Sequence, residues 1–181
     1  MKTHLLIASA FILLITSCKK SPESLSFSDF PMKQGDFWVY TRLGGSSIVF
    51  DTVTLSIASV YSSNDTTFYL WTQTNPHESD TLLSFYFNNT FVSIPGWNSA
   101  AFPLLDTIQF PIIDGWSDGS EQYLWYDHTM QVNNVNYNTC FRLIWYSGPY
   151  TTDTYIVKGV GIIKYNGFYN DEWDLLSYHL N

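Results

Sequence analysis

The sequence predicts an all-β protein of about ten antiparallel strands, and three observations carry that reading. Apolar residues recur with period 2: Val53, Leu55 and Ile57 alternate with Thr52, Thr54 and Ser56, and Leu83, Phe85 and Phe87 alternate with Ser84 and Tyr86. Such alternation marks a strand with one face on a core and the other toward water. Turn-forming residues separate the alternating runs at short intervals. No sustained 3.6-residue apolar period follows residue 30, and Ala, Leu and Lys are too sparse for long helices.

Residues 1–17 read as a processing segment rather than as part of the fold: Lys2 supplies a positive end, Leu5 to Ile15 an apolar stretch, and Thr16-Ser17 small residues before Cys18. Eleven residues rise about 16 Å as a helix, half of a ~30 Å hydrocarbon core, so the stretch is too short to span a membrane. Ile15-Thr16-Ser17-Cys18 resembles, position by position, the lipobox of bacterial lipoproteins. That resemblance implies cleavage before Cys18, acylation of its thiol and attachment to a membrane through the acyl chains, which hold stably once two or more are present. Lys19 stands where some lipoproteins kept in the inner membrane carry aspartate, which points to the outer membrane. Residues 18–29, rich in Ser and containing Pro22, read as the acylated cysteine and a flexible tether. Residues 30–181 are left as a single β domain, long enough for one core.

Within that domain strands are predicted near 36–43, 48–61, 66–74, 80–88, 90–94, 121–132, 135–147, 153–158, 160–166 and 172–180. Turn chemistry falls between them at Gly44-Gly45-Ser46, Ser62-Ser63-Asn64-Asp65, Asn75-Pro76, Asn88-Asn89, Asn133-Asn134, Gly148-Pro149 and Asn166-Gly167. Pro95 to Gly119, with Pro103 and Pro111, fits no central strand and reads as a long, partly ordered connection. Phe30-Pro31-Met32-Lys33-Gln34-Gly35 and Phe110-Pro111-Ile112-Ile113-Asp114-Gly115 share the pattern F-P-x-x-x-G, read as recurring turn-into-strand chemistry.

The opening Phe30-Pro31-Met32-Lys33-Gln34-Gly35-Asp36-Phe37-Trp38-Val39-Tyr40 resembles the F-P-L-K-x-G-x-x-W-x-Y start of a group of uncharacterised diderm envelope lipoproteins. The close is similar as well: Val157-Lys158-Gly159-Val160-Gly161-Ile162-Ile163-Lys164-Tyr165, then Trp173-Asp174-Leu175-Leu176-Ser177-Tyr178. Between them, Val132 to Leu143 is loosely similar to a hairpin of the same group. The resemblance implies a curved antiparallel sheet and no particular activity. The fold expected is therefore a strongly curved sheet or incomplete β-barrel.

Charge narrows the partners. After Cys18 the chain carries seven Lys and Arg against sixteen Asp and Glu, and no cation lies between Arg42 and Arg142. Phosphate recognition needs clustered cations, so nucleic acid is not an expected partner. With Cys18 acylated, Cys140 is the sole remaining thiol, and no internal disulfide forms. It sits on an alternating strand and reads as a buried, inert cysteine.

No catalytic residues, metal site or cofactor are expected. His77, Glu78, Ser79 and Asp80 are triad residue types, but sequence neighbours in a turn do not converge as a triad does. Asp114 to Glu121 suggests a calcium loop at first glance, yet Trp116 and Trp125 stand where such a loop needs oxygen ligands. His128 and His179 lack partners at ligand spacing.

The aromatic content is the most unusual bulk feature, 18% of residues with seven tryptophans. Trp and Tyr either fill a β core or line a groove for a glycan or an apolar ligand, and Trp71, Trp97, Trp116 and Trp125 are the groove candidates. Asp51-Thr52-Val53, Asp65-Thr66-Thr67, Asp80-Thr81-Leu82 and Asp106-Thr107-Ile108 resemble the acceptor pattern of general O-glycosylation in some diderm envelopes, which makes Thr52, Thr66, Thr81 and Thr107 candidate sites. The function expected is a membrane-anchored, non-enzymatic envelope module that binds a hydrophobic or glycan ligand or an envelope partner. The alternative is a structural or assembly lipoprotein with a filled core.

Overall fold

A computed structural model describes residues 24–43, 49–94, 107–117, 119, 121–126, 129–147, 149–167 and 172–181. The first half of the chain runs as a meander: β2 (Phe37–Leu43), β3 (Val49–Ser63), β4 (Thr66–Thr74), β5 (Ser79–Phe87), β6 (Thr90–Ile94) and β7 (Thr107–Gln109). The second half is another: β9 (Glu121–Tyr126), β12 (Cys140–Ser147), β13 (Tyr150–Val157), β14 (Gly161–Asn166) and β15 (Glu172–His179). Pairing of β15 with β2 joins the two halves into one antiparallel sheet of eleven strands, which curls into a half-barrel with β7 and β9 at its edges. The curved, incomplete barrel expected from the sequence is thus present.

Three hairpin turns have one shape because they have one chemistry. Asn64-Asp65, Asn88-Asn89 and Asn133-Asn134 each place two successive residues at positive φ, between 45° and 66°. Two-residue loops of this kind match the right-handed twist of paired strands, and Asn and Asp tolerate the left-handed region better than other side chains. Their positions fix the pairing register. On β3 the alternation turns Val53, Leu55 and Ile57 inward as expected, but on β5 it is inverted: Leu82 and Ser84 are buried, and Leu83, Phe85 and Phe87 fall on the outer face because the register set by the turns overrides the apolar pattern.

The inward set forms a single core. It runs through Trp38 and Tyr40, Val53, Leu55 and Ile57, Tyr69 and Trp71, Leu82, Phe91, Leu143, Ile156, Ile163 and Trp173. Polar tips within it are satisfied: Trp38 Nε1 donates to the Val160 carbonyl at 2.7 Å, Tyr40 Oη to the Ile162 carbonyl at 2.9 Å, and Trp71 Nε1 to Ser84 Oγ at 2.7 Å. Trp38 and Trp71 lie ring against ring at 5.7 Å. Burial pushes the Tyr40 phenol far above its ordinary range, so it stays a donor at every practical pH.

The structured body begins earlier than the composition of residues 18–29 suggests. Ser24–Leu25 form β1, which pairs with β8 (Ile112–Ile113), and Phe27–Asp29 make one 3₁₀ turn. Leu25 and Ile112 are both fully buried. Two apolar residues in a serine-rich stretch, Leu25 and Phe27, are enough to dock it, so residues 24–29 of the expected tether belong to the folded body. The long connection, expected to be partly ordered, carries β7, which extends the sheet, and β8, which receives β1.

A second departure concerns the strands expected over 121–132 and 135–147. Each is broken, and the pieces β10 (Met130–Val132) and β11 (Val135–Tyr137) form a separate hairpin. Met130 pairs with Tyr137 while Tyr126 pairs with Cys140, and the hairpin forms a two-stranded sheet of its own. Asn133 Nδ2 then fastens its tip to the Asp174 and Leu175 carbonyls of β15. Alternation persists through the break, so periodicity does not reveal it.

Trp38 is 4% exposed. Trp38→Ala is expected to destabilise the domain by about 3–5 kcal/mol, as for other large buried aromatics. A urea midpoint shift equivalent to under about 1 kcal/mol would contradict its place in the core.

Candidate functional site

A curved sheet with free edges has a concave face to cover, and this chain covers it with its own N-terminal strap. Phe27 stacks on Tyr86 with ring centroids 3.9 Å apart and meets Phe110 edge-on at 5.4 Å. Phe30 meets Phe110 edge-on at 5.5 Å, so the two F-P-x-x-x-G segments pack against each other. Both end in a glycine that needs a left-handed conformation, Gly35 at φ 89° and Gly115 at φ 81°. The Asp29 carboxylate holds the strap by accepting from Ser26 N and Ser26 Oγ, each at 2.9 Å, and by pairing with Lys158 at 2.8 Å. Gly159 N donates to the Asp29 carbonyl.

Between strap and sheet lies an apolar cavity of about 30 Å³, bordered by Phe30, Met32, Trp38, Leu55, Trp71 and Phe110 among others. That is room for about one or two waters, an order of magnitude below the ~300–1,000 Å³ of ligand pockets. A second, open depression of about 400 Å³ lies outside the strap, between Ser28, Lys33, Asp36, Gly159 and Asn181. Its charged groups are already engaged. Asp36 accepts from Lys33 N and Asn181 N, Lys33 Nζ donates to the Asn181 carbonyl, and Asp29 pairs with Lys158.

The candidate tryptophans do not assemble a groove among the described residues. Trp71 is 4% exposed and borders the small cavity. Trp116 is partly buried against the core. Trp97 lies outside the described residues, and of Trp125 the structure describes the backbone, within β9. Thr52, Thr81 and Thr107 are exposed on β3, β5 and β7, and Thr66 is half-buried at the start of β4. Cys140 is buried, and loss of solvation pushes its thiol up to about 11, which leaves almost no thiolate at neutral pH. Among the described residues, no three His, Cys, Asp or Glu side chains are disposed to hold a metal. Periodicity did not expose one feature of the inner face. Gln73 Oε1 and Asp80 Oδ2 are buried acceptors without donors, on directly paired residues of β4 and β5.

Fold and interior together define a class: an all-β half-barrel sealed by its own N-terminal strap. No protein-family model matches the sequence, and no curated protein is similar to it. Among solved structures, a protein of Parabacteroides distasonis ATCC 8503 assigned as a lipoprotein is similar in fold, with a TM-score of 0.50 at 10% identity over 87% of this chain and 100% of that one. A protein of Bacteroides fragilis NCTC 9343, assigned as exported and with a YmcC-like fold, is more distant, with a TM-score of 0.42 at 8% identity over 83% and 98%.

The strap makes a pH-dependent contribution. Burial raises the Asp29 pKa, but the Lys158 ammonium and the Ser26 donors outweigh it and hold the carboxyl below its ordinary value. A depressed folded pKa stabilises fully above the ordinary aspartate range and is lost as pH falls through the folded value. Lys158 is mostly exposed, so the ion pair itself adds little, and Asp29→Ala is expected to cost about 1 kcal/mol, chiefly through the lost capping bonds. In acid titrations followed by urea unfolding, the wild type and the variant should converge below that folded pKa. A constant difference down to the most acid point would remove Asp29 from the account.

Proposed function

We propose that the protein is a lipid-anchored, non-enzymatic lipoprotein of the outer membrane that works as a structural or assembly element through its outer surface. The observation that carries this reading is the filled interior: strap, β8 and inward side chains leave about 30 Å³ where a ligand-binding barrel would hold a cavity. Anchoring is supported by the lipobox at Ile15–Cys18, and the outer membrane by Lys19. A small-molecule carrier is the weaker reading, because Trp71 is consumed by the core and hydrogen-bonded to Ser84. Solvent extraction of protein purified from its native host, followed by mass spectrometry, should recover the acyl chains of Cys18 and no stoichiometric apolar compound. A co-purifying ligand at unit stoichiometry would overturn the filled-core reading.

Cys18→Ala is expected to abolish membrane association and leave an uncleaved or soluble precursor, since every stable membrane contact is assigned to the acyl chains. Retention of the variant in membranes after a carbonate wash would sink the anchor.

Thr52, Thr81 and Thr107 are also proposed as O-glycan acceptors, with Thr66 less accessible; the support is their exposure next to Asp51, Asp80 and Asp106. Intact mass of native protein should show hexose-sized increments that disappear with Thr→Ala at these positions. A mass equal to chain plus lipid would rule the modification out.

A further inference from the structure

The outside of the half-barrel is divided. On the β12–β15 side it carries ion pairs, Arg142 with Asp153 and Lys164 with both Glu172 and Asp174. On the β3–β6 side, the stretches 59–63, 66–72, 81–87 and 90–92 contain no charged residue at all. Two cross-strand rows of that outer face are apolar. One runs Tyr61, Phe68, Phe85, Val92, and the next contains Leu70 paired with Leu83. Beyond them Phe87 is 42% and Tyr61 is 52% exposed. Farther along the same strands the face becomes polar, with Ser56 Oγ and Thr72 Oγ1 hydrogen-bonded at 2.6 Å.

The apolar rows lie at one end of the barrel, and that end is where the chain leaves for Cys18. The turns Asn64-Asp65 and Asn88-Asn89 and the turn between β13 and β14 all fall there, by the antiparallel register. Phe110 N donates to the Asn89 carbonyl, and Ile112, two residues on, pairs with Leu25. Chain and strand spacings therefore place β1 within about 12 Å of the Asn88-Asn89 turn. From Ser24 back to Cys18 there are six residue steps, at most about 22 Å. Charge differs between the two ends. At the tethered end Lys33 and Lys158, with Lys19 and Lys20 in the tether, accompany Asp29, Asp36 and Asp65, while at the strand ends opposite Asp51, Glu78, Asp80, Asp153, Glu172 and Asp174 outnumber Arg42 and Lys164.

We propose that the uncharged aromatic flank of Tyr61, Phe68, Phe85 and Phe87 rests in the headgroup–acyl boundary of the bilayer that holds the Cys18 lipid, with the acidic end of the barrel pointing away. This rests on the lipid-anchor reading and adds an orientation to it. Tyr and Phe suit that boundary, and the strand residues of the flank carry no ion to desolvate, the nearest being Asp65 in the exposed turn beside it. A glycan is a poorer occupant, because Tyr61 and Phe68 stack on each other at 4.9 Å and 10°, which turns one ring face of each away from any sugar. An anionic surface is not required, and the acidic opposite end would be repelled by one.

The test uses the acylated full-length protein reconstituted in phosphatidylcholine vesicles and nitroxides at Ser63→Cys, beside the flank, or His77→Cys, in the opposite turn. Both positions are exposed, and Cys140 is buried and protonated, so it does not compete for label. In protein that floats with the vesicles, the Ser63 nitroxide should collide more with oxygen and less with a water-soluble nickel chelate than the His77 nitroxide. Tyr61→Ser with Phe87→Ser, both exposed side chains, should erase that difference without releasing the protein. Equal nickel access at the two positions in floating protein overturns the orientation alone, and leaves the flank to a protein partner. Failure to float overturns the anchor, and the orientation falls with it.

Discussion

The half-barrel depends on covering the concave side of an open sheet. Closing an eleven-stranded sheet between β7 and β9 would require backbone pairing that the segment linking them does not supply. The uncovered inner face would expose Trp38, Leu55, Trp71 and Phe91 at once. The chain resolves this with a strap from its N-terminus, in which Leu25, Phe27 and Phe30 meet Phe110 and Ile112 from the β7–β9 connection. Full burial of Leu25, Phe110 and Ile112 is worth about 1.5–3 kcal/mol each, and the partly buried Phe27 and Phe30 add less. Asp29 contributes position more than energy, by fixing where the strap turns.

The strap is the first described segment of the chain, and its short β1 joins the body through pairing with β8. Among the described residues the cavity behind the strap is water-sized, and the outer surfaces that differ from one another are the ion-paired and aromatic flanks.

The aromatic donors inside follow one rule, although the buried oxygens Gln73 Oε1, Asp80 Oδ2 and Thr154 Oγ1 lack partners. Trp38, Tyr40 and Trp71 each bring a donor into the core, and each finds an acceptor within 3 Å. Burying such donors unpaired would cost about 1–3 kcal/mol apiece. The aromatic richness of the chain thus reflects side chains that fill volume and still satisfy a polar tip, which is how three large aromatics share one core without a water channel.

Period-2 alternation, the Asn-Asn and Asn-Asp turns and the lack of helical periodicity were enough to identify an antiparallel β protein and to place most of its strands within a residue or two. These are local properties: backbone preference and side-chain alternation operate over a few residues and are written in the order of the chain. Three features were decided by tertiary structure. Leu25 and Phe27 look like isolated apolar residues in a tether until Tyr86 and Phe110 provide somewhere to bury them. Trp71 is an equally good core or groove residue in sequence, and its neighbours Trp38 and Ser84 make it core. The aromatic flank exists because strands far apart in the chain align Tyr61, Phe68 and Phe85 in one row. That alignment depends on long-range register, which no local pattern encodes.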